Sequence, residues 1–424
     1  MRITLINPPV RTWAPPNWVP LGLCYLAGAL RREGAHVSIL DLNATRPDEA
    51  ETQRLVDEID ADWVGIGGIV TTYAHIKQLA GMVAKRGIPV VIGGAVTRGL
   101  EDLILNKTAA NRVYTGEGEL SYGFLWENDP PRTGAKDKHI TNAYIHNLDG
   151  LPTPARDLID MEAYIHNPIG ANNANKWSTG KVTETVRNTN IMASRSCPYR
   201  CIYCAKDFGG APYRHRSARN VIAEIEQLDR DYGITYVHFV DDEFMMDRRF
   251  VLDFCEAKVR SKVMHIHWGC TGRANLIDHA ILCMMKAVGC QQVSLGIESG
   301  SQKMLDTMKK GVTVKQNADA LITVRHIFDS TCFSMMIGLP GETEATIRES
   351  MEFCDRLCEK PEAVFFATPY PGTELYRMMR EAGRIPDEEK YILSLGEQGR
   401  QIACNCSDIP DEKLWELKRE WEGQ

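Results

Sequence analysis

Cys197, Cys201 and Cys204 lie within eight residues, in the run Ser196-Cys197-Pro198-Tyr199-Arg200-Cys201-Ile202-Tyr203-Cys204. The run Asn190-Ile191-Met192-Ala193 precedes them and reads as a short strand. A loop leaving a strand can turn three thiols towards one point. Thiolates are the usual ligands of iron–sulfur clusters, and a four-iron cluster takes four. Three ligands would leave one iron open, much as catalytic zinc keeps a position for substrate. A structural zinc site is the competing assignment. It wants a second close pair, and the next cysteine after Cys204 is Cys255, alone in a helical pattern. Scattered core cysteines seldom cluster in this way.

The elements that must position this loop are alternating strands and helices. Strand patterns fall at Asn190–Ala193, Thr235–Val240, His265–Gly269, Gln292–Ile297, Cys332–Ile337 and Ala363–Ala367. Helical spacing connects them over Ala218–Tyr232, Arg249–Ser261, Ile277–Val288 and Glu344–Cys358. Six such units predict a partial (βα)6 barrel over 186–376, with its chemistry at the carboxyl ends of the strands. The cysteine loop follows the first strand. The second ends in Asp241-Asp242-Glu243, carboxylates suited to a cationic amine or simply to a solvated helix start. The third ends at Arg273, which can clamp a carboxylate or serve as a surface cation. The fourth ends in Gly296-Ile297-Glu298-Ser299-Gly300. The fifth gives Gly338-Leu339-Pro340-Gly341-Glu342-Thr343, much of which helix capping explains. The sixth gives Thr368-Pro369-Tyr370-Pro371-Gly372-Thr373. A charged helical tail over 377–424 contains a terminal helix within Ser407–Glu422 and the pair Cys404 and Cys406, for which a structural role is expected.

Residues 1–135 repeat the alternation. Strands are expected at Arg2–Ile6, His36–Leu40, Trp63–Ile66 and Pro89–Ile92, and helices at Leu21–Glu33 and Ala74–Lys85. This pattern predicts a doubly wound parallel sheet, which binds ligands beyond its strand ends. Asn7 and Pro8, Thr71 and Thr72 after Gly67-Gly68, Gly93 and Gly94 with Thr97, and Gly116-Glu117-Gly118-Glu119 all fall there. Glycines admit a ligand close to the backbone and threonines offer hydroxyls, although tight turns alone use the same residues. Residues 136–185 read as a linker, with an exposed loop at Glu127–Gly134 before it, a two-proline segment at Leu148–Asp157 and a polar loop at Ala171–Gly180.

A net charge of −7 excludes an extended nucleic-acid surface. No apolar stretch approaches the ~20 residues of a membrane span, and the first apolar run is too short for a signal peptide. Thirteen cysteines under these conditions predict a reducing, cytoplasmic setting. Cys255, Cys283, Cys290, Cys332, Cys354 and Cys358 sit in apolar patterns and are expected to be buried.

Cys-x3-Cys-x2-Cys with Tyr203 before the last cysteine resembles the signature of the radical S-adenosylmethionine (SAM) enzymes. The resemblance implies that Cys197, Cys201 and Cys204 hold a 4Fe–4S cluster whose open iron is chelated by SAM. It further implies SAM contacts at Tyr203, Asp242, Glu243, Arg273 and Glu298. The runs Val64–Thr72 and Ile92–Thr97 resemble a cobalamin-binding domain. That implies a slot for the cofactor's dimethylbenzimidazole tail lined by Thr71 or Thr72 and Gly93-Gly94. The loop Asn7–Trp18 lacks the Asp-x-His-x-x-Gly of many cobalamin domains, so no histidine from it is expected under the cobalt. This departure is usual in the cobalamin-binding branch of the radical SAM enzymes, and the likeness extends from residue 1 to about residue 376.

The branch implies methylation of an unactivated carbon of a small molecule or peptide, by a 5′-deoxyadenosyl radical and methylcobalamin. An electron donor such as flavodoxin or ferredoxin is implied as partner. The branch also contains oxidative ring-forming enzymes. Two other readings stand beside it. A methylthiotransferase-like enzyme without cobalamin wants further cysteines in the first domain, which has only Cys24. A non-catalytic iron–sulfur or corrinoid sensor would need no amino-acid pocket.

Overall fold

The computed structural model describes residues 1–122, 136–141, 143–166, 186–206, 211–328, 331–395 and 401–423. The expected loops at 127–134 and 171–180 lie outside them. The chain divides into two compact units, one of residues 1–169, 207–214 and 392–396, the other of 170–206, 215–391 and 397–424.

In the first unit, β1 (Arg2–Asn7), β2 (His36–Asp41), β3 (Trp63–Gly67), β4 (Val90–Gly93), β5 (Arg112–Thr115) and β6 (Asp137–Ile140) form one sheet in the order β2-β1-β3-β4-β5-β6. All its pairings are parallel. The helices include α1 (Leu21–Arg32), α2 (Glu49–Asp57), α3 (Tyr73–Lys85) and α4 (Glu101–Lys107). α1 stops where expected, because Gly34 takes a left-handed φ of 88°. The sheet core comes from strand residues such as Ile3, Leu5, Trp63 and Val91, closed by Ala27 and Leu30 of α1.

Two strands are not visible in the sequence. β5 and β6 are four residues each, carry charged residues and lie towards the edge of the sheet. β6 draws the start of the expected linker into the sheet, pairing Arg112–Thr115 with Asp137–Ile140. The two-proline segment also docks here. Ala155 N–H donates to Cys24 O at 3.0 Å, and a Cβ on Gly28 would lie 2.9 Å from Thr153 O. Only a glycine in α1 lets that backbone approach so closely.

In the second unit, β7 (Asn188–Ile191), β8 (Tyr236–Phe239), β9 (His267–Gly272), β10 (Cys290–Glu298), β11 (Cys332–Ile337) and β12 (Ala363–Phe366) run parallel in chain order, an open half-barrel. Between them lie α5 (Ala218–Tyr232), α6 (Arg248–Arg260), α7 (His279–Ala287), α8 (Gln302–Thr307), α9 (Val314–Phe328) and α10 (Glu344–Leu357), followed by α11 (Glu374–Glu381) and the terminal α12 (Asp411–Glu422). Local signals set these boundaries. Ser217 Oγ caps α5 by accepting from Asn220 N–H, and Gly233 ends it with a left-handed backbone. α12 covers the β12 edge, with Trp415 against Phe366 at 4.7 Å and Lys418 Nζ donating to Val364 O at 2.6 Å. An edge strand otherwise leaves such carbonyls open to foreign pairing.

Phe239, Phe254 and Trp268 pack edge to face, with ring centroids 5.2–5.6 Å apart. Phe244 joins them 4.5 Å from Phe239. Such pairs contribute about 1 kcal/mol each beyond burial. Phe239 and Phe244 are both fully buried, so the acidic segment between them is pinned at each end. Cys255, Cys290, Cys332 and Cys354 are buried as expected, but Cys283 and Cys358 are exposed. Cys283 lies on the outward side of α7, and Cys358 ends α10 in a left-handed turn with φ 51°. No helix among the described residues is long and apolar enough to cross a membrane.

Candidate active site

The cysteine loop leaves β7 through Ser196, whose φ is 73°. Two backbone hydrogen bonds pin its middle. Ile202 N–H donates to Met308 O at 3.1 Å, and Ile202 O accepts from Leu375 N–H at 2.9 Å. Lys206 Nζ donates to Cys197 O at 2.9 Å. Asp241, at the end of β8, accepts from Ala193 N–H at 3.1 Å and from the Ser194 hydroxyl just before the loop. The three thiols share one electrostatic neighbourhood. Burial, then the negative neighbours Cys201, Asp242 and Cys197, push the Cys204 thiol up to about 12. Iron binding to the thiolates would relieve that repulsion, so the donor set suits a cluster.

The other strand ends converge on this loop. Arg273, after β9, lies over the Tyr199 ring with its guanidinium carbon 3.7 Å from the centroid. Its Nη1 points at Cys201 Sγ at 3.6 Å, and its Nε donates to Asn275 Oδ1 at 2.8 Å. Asn275 Nδ2 in turn donates to the Tyr199 hydroxyl at 2.8 Å. Arg273 is buried, and its Nη2 has no hydrogen-bond partner among the described residues. A guanidinium fixed on one side with a free donor on the other suits a carboxylate.

Glu298 ends β10 at a register shift against β11 and has φ 68°. Such a bulge re-aims a side chain. Its Oε1 accepts from the Tyr203 hydroxyl at 3.2 Å and from Lys310 Nζ at 3.2 Å. The Tyr203 hydroxyl is raised well above its ordinary value by burial and then by Glu298. Glu243 is buried, accepts from Met245 N–H at 3.2 Å, and is pushed up to about 7 by burial against the pull of that bond, Arg273 and Lys310. Asp242 raises both Cys197 and Cys204, which places its charge near the thiols. The predicted carboxylate run thus divides: Asp241 holds the chain before the loop, Asp242 acts on Cys197 and Cys204, and Glu243 lies between Cys197 and the cations Arg273 and Lys310. Tyr199, Asn275 and Lys310 were not expected as part of the site. A Lys-Lys-Gly turn is a common surface pattern, so nothing in the sequence singled out Lys310.

Six non-glycine residues among those described have a left-handed backbone, and Ser196, Glu298 and Lys309 of them flank this loop. Strain of this kind concentrates where a site demands it. At the fifth strand end, Glu342 accepts from the N–H groups of Gly338 and Leu339, and Thr343 caps α10, as helix capping predicts.

In the first unit the sheet order reverses at β1, whose neighbours are β2 and β3. Ligands of such sheets sit at that switch, beside the loops after β1 and β3. Trp13 and Ile69 are exposed on those loops. The adjoining glycine turns touch: Val96 N–H donates to Gly68 O at 3.0 Å, and a Cβ on Gly94 would lie 3.1 Å from that oxygen. Gly94 is exposed with φ 85°, and Thr71, Gly93, Gly116, Gly118 and Glu119 also reach the surface, whereas Pro8 is buried beneath Gly68. Several of these surface residues are glycines, which let a ligand approach the backbone closely. The remaining predicted residues are engaged inward. Asn7 Nδ2 donates to Asp41 Oδ1 at 2.8 Å, and the Thr72 hydroxyl donates to Ile69 O at 2.7 Å. Thr97 Oγ1 donates to Gly94 O at 3.0 Å and Tyr114 O at 3.1 Å. Buried Glu117 pairs with Arg214 at 2.7 Å and accepts from Ile145 N–H at 2.7 Å. These four hold the turns in shape.

Comparison with known proteins agrees with both halves. The Radical SAM superfamily model matches residues 191–354, and the B12 binding domain model matches residues 9–123. An uncharacterized methyltransferase of Pyrococcus horikoshii is 28% identical over 410 residues, spanning 89% of this chain and 82% of the relative. An anaerobic magnesium-protoporphyrin IX monomethyl ester cyclase of Rubrivivax gelatinosus is 26% identical over 422 residues, spanning 92% of this chain and 72% of the relative. The radical SAM methyltransferase TsrM from Kitasatospora setae, solved with tryptophan substrate and a SAM analog, superposes with a TM-score of 0.68 at 18% identity, covering 91% of this chain and 77% of that one. At that identity the likeness is one of fold. The chain thus carries a radical SAM domain and a B12 binding domain together, and its cofactors are a 4Fe–4S cluster, SAM and cobalamin.

Proposed function

We propose that this enzyme methylates an unactivated carbon of a small-molecule or peptide substrate. The observation that carries the reading is the pairing, in one chain, of a cobalamin domain with a three-thiol loop beside buried, charge-balanced Glu243, Glu298, Arg273 and Lys310. Such a pocket suits the ammonium and carboxylate of an amino acid. When bound, the cluster and SAM supply a 5′-deoxyadenosyl radical and cobalamin supplies the methyl group.

Within that scheme Cys197, Cys201 and Cys204 hold the cluster. Arg273 Nη2 takes the SAM carboxylate, Asp242 and Glu243 the amine, and Glu298 with Tyr203 a ribose hydroxyl. In the first unit Thr71, Gly93, Gly94, Gly116, Gly118 and Glu119 line the corrin rim, and Asn7, Pro8, Thr72, Thr97 and Glu117 keep its turns in place. A flavodoxin or ferredoxin delivers the electron. The methyltransferase relatives support the methyl reading over ring closure.

The test is anaerobic. The protein is reconstituted with iron, sulfide and hydroxocobalamin, reduced, and given SAM carrying a deuterated methyl together with fractionated cell metabolites and peptides. About four irons per chain, bound corrinoid, 5′-deoxyadenosine and a deuterium-bearing product are expected. A ring-closed product without label would replace methylation by oxidative cyclisation. A Cys201→Ala protein that still made 5′-deoxyadenosine would sink the cluster assignment.

A further inference from the structure

Lys310 is a buried lysine that the cofactor scheme leaves without a task. Its ammonium lies 3.2 Å from Glu298 Oε1 and 3.3 Å from the Tyr203 hydroxyl. Those two groups are themselves 3.2 Å apart, so the three side chains close a triangle. The lysine and the carboxylate are 7% and 10% exposed, which removes solvent as an alternative partner.

The fold builds this triangle deliberately. Lys309 and Gly311 both have left-handed backbones, with φ 53° and 68°, so Lys310 is presented by a tight turn. A lysine in that conformation is strained, and strain persists only where its surroundings enforce it. The same turn holds the cysteine loop through Met308 O and Ile202 N–H. On the opposite side, Gly296 leaves the room the pair needs. A Cβ there would lie 2.5 Å from Glu298 Oε1 and 3.2 Å from Lys310 Nζ.

Resting on the site reading above, we propose that Lys310 is a positioning residue that ties Tyr203 of the cluster loop to Glu298 of β10 and stations a positive charge 3.3 Å from the Tyr203 hydroxyl of that loop. Two consequences follow from elementary electrostatics. A fixed cation favours the added electron, so it raises the reduction potential of the cluster the loop carries. A fixed Glu298 is an ordered acceptor, so SAM is held without first arranging it.

Three variants test this in the full-length, reconstituted protein. Lys310→Met is expected to take up wild-type iron, to shift the cluster midpoint potential to more negative values in an EPR-monitored titration, and to bind SAM about tenfold more weakly by calorimetry. Lys310→Arg keeps the charge and should restore the potential. Gly296→Ala keeps the lysine but displaces the carboxylate, and should weaken SAM binding while moving the potential little. Wild-type potential and wild-type SAM affinity in Lys310→Met overturn the proposal. Should that variant fail to take up iron, Gly296→Ala decides, and unchanged SAM affinity there overturns it. A wild-type protein that binds no four-iron cluster refutes the underlying site reading instead.

Discussion

Arg273 lies over Tyr199, its guanidinium carbon 3.7 Å from the ring centroid. The contact orients a planar cation, so that one nitrogen faces Cys201 Sγ at 3.6 Å and another is left for a ligand. Lysine cannot copy this, being a point charge without a plane. Arg273→Lys is therefore expected to bind SAM about tenfold more weakly by calorimetry, with iron content unchanged. Equal affinity in the two proteins would remove Arg273 from the SAM site.

Glu342 is buried and accepts two backbone N–H bonds, and burial outweighs them to push its carboxyl from 4.5 up to about 7. Its folded-state value is raised, so the folded protein holds a proton that the unfolded chain has released. The stability it contributes is fully present below about pH 4.5 and is lost as pH rises through about 7. Asp241, pushed up to about 6, and Glu243, about 7, act in the same direction. Glu342→Gln mimics the protonated form. Its melting temperature relative to wild type should climb between those pH values. A constant difference across them would contradict the assignment.

Arg216 and Glu224 form a buried ion pair, and Arg216 Nη1 also donates to Met192 O at 2.9 Å. The pair thus ties α5 to the chain entering the cysteine loop. Glu224→Gln leaves the guanidinium without its counter-charge, which in buried pairs costs about 3 kcal/mol or more. Urea denaturation should show that loss. Arg216→Met combined with Glu224→Leu should recover much of it, since no charge then stays buried. A double variant no better than Glu224→Gln would argue against the ion pair.

Gly94 has a left-handed φ of 85°, and a Cβ there would lie 3.1 Å from Gly68 O and 3.2 Å from Gly68 N. Gly94→Ala puts a side chain where φ 85° and ψ −169° are essentially reserved for glycine, at a cost of about 1–3 kcal/mol, and forces the two turns apart. Corrinoid retained after gel filtration should fall well below wild type. Gly81→Ala is the matched control: it lies in α3 with nothing within 4 Å of the added Cβ. Helix propensity favours that change by about 0.5–1 kcal/mol, and it should retain corrinoid in full. Equal losses in both would argue against the rim.

Much of this molecule was readable in one dimension. The later half-barrel strands, such as Cys332–Ile337 and Ala363–Phe366, are apolar runs, and Ala218–Tyr232 matches its helical pattern to the residue, whereas β7 is the polar Asn188–Ile191 and begins two residues before the strand expected at Asn190–Ala193. The cysteine loop was readable because its chemistry is local. Three thiols on eight residues declare themselves without any partner. β5 and β6 were not, since four-residue strands with charged side chains acquire their identity only from the neighbours they pair with.

The sequence by itself determined the two βα alternations, the order of the halves and the presence of the thiol loop, because periodicity and short-range spacing are properties of neighbouring residues. Tertiary structure alone decided which polar residues serve the site. Asp241, Asp242 and Glu243 are consecutive and alike, yet each meets a different partner. Thr72 and Thr97 looked like ligands and spend their hydroxyls on backbone oxygens. Lys310 looked like a surface lysine and meets Tyr203 across 107 positions of chain. A side chain's role follows from what it faces, and what it faces is set by contacts between segments far apart in the chain.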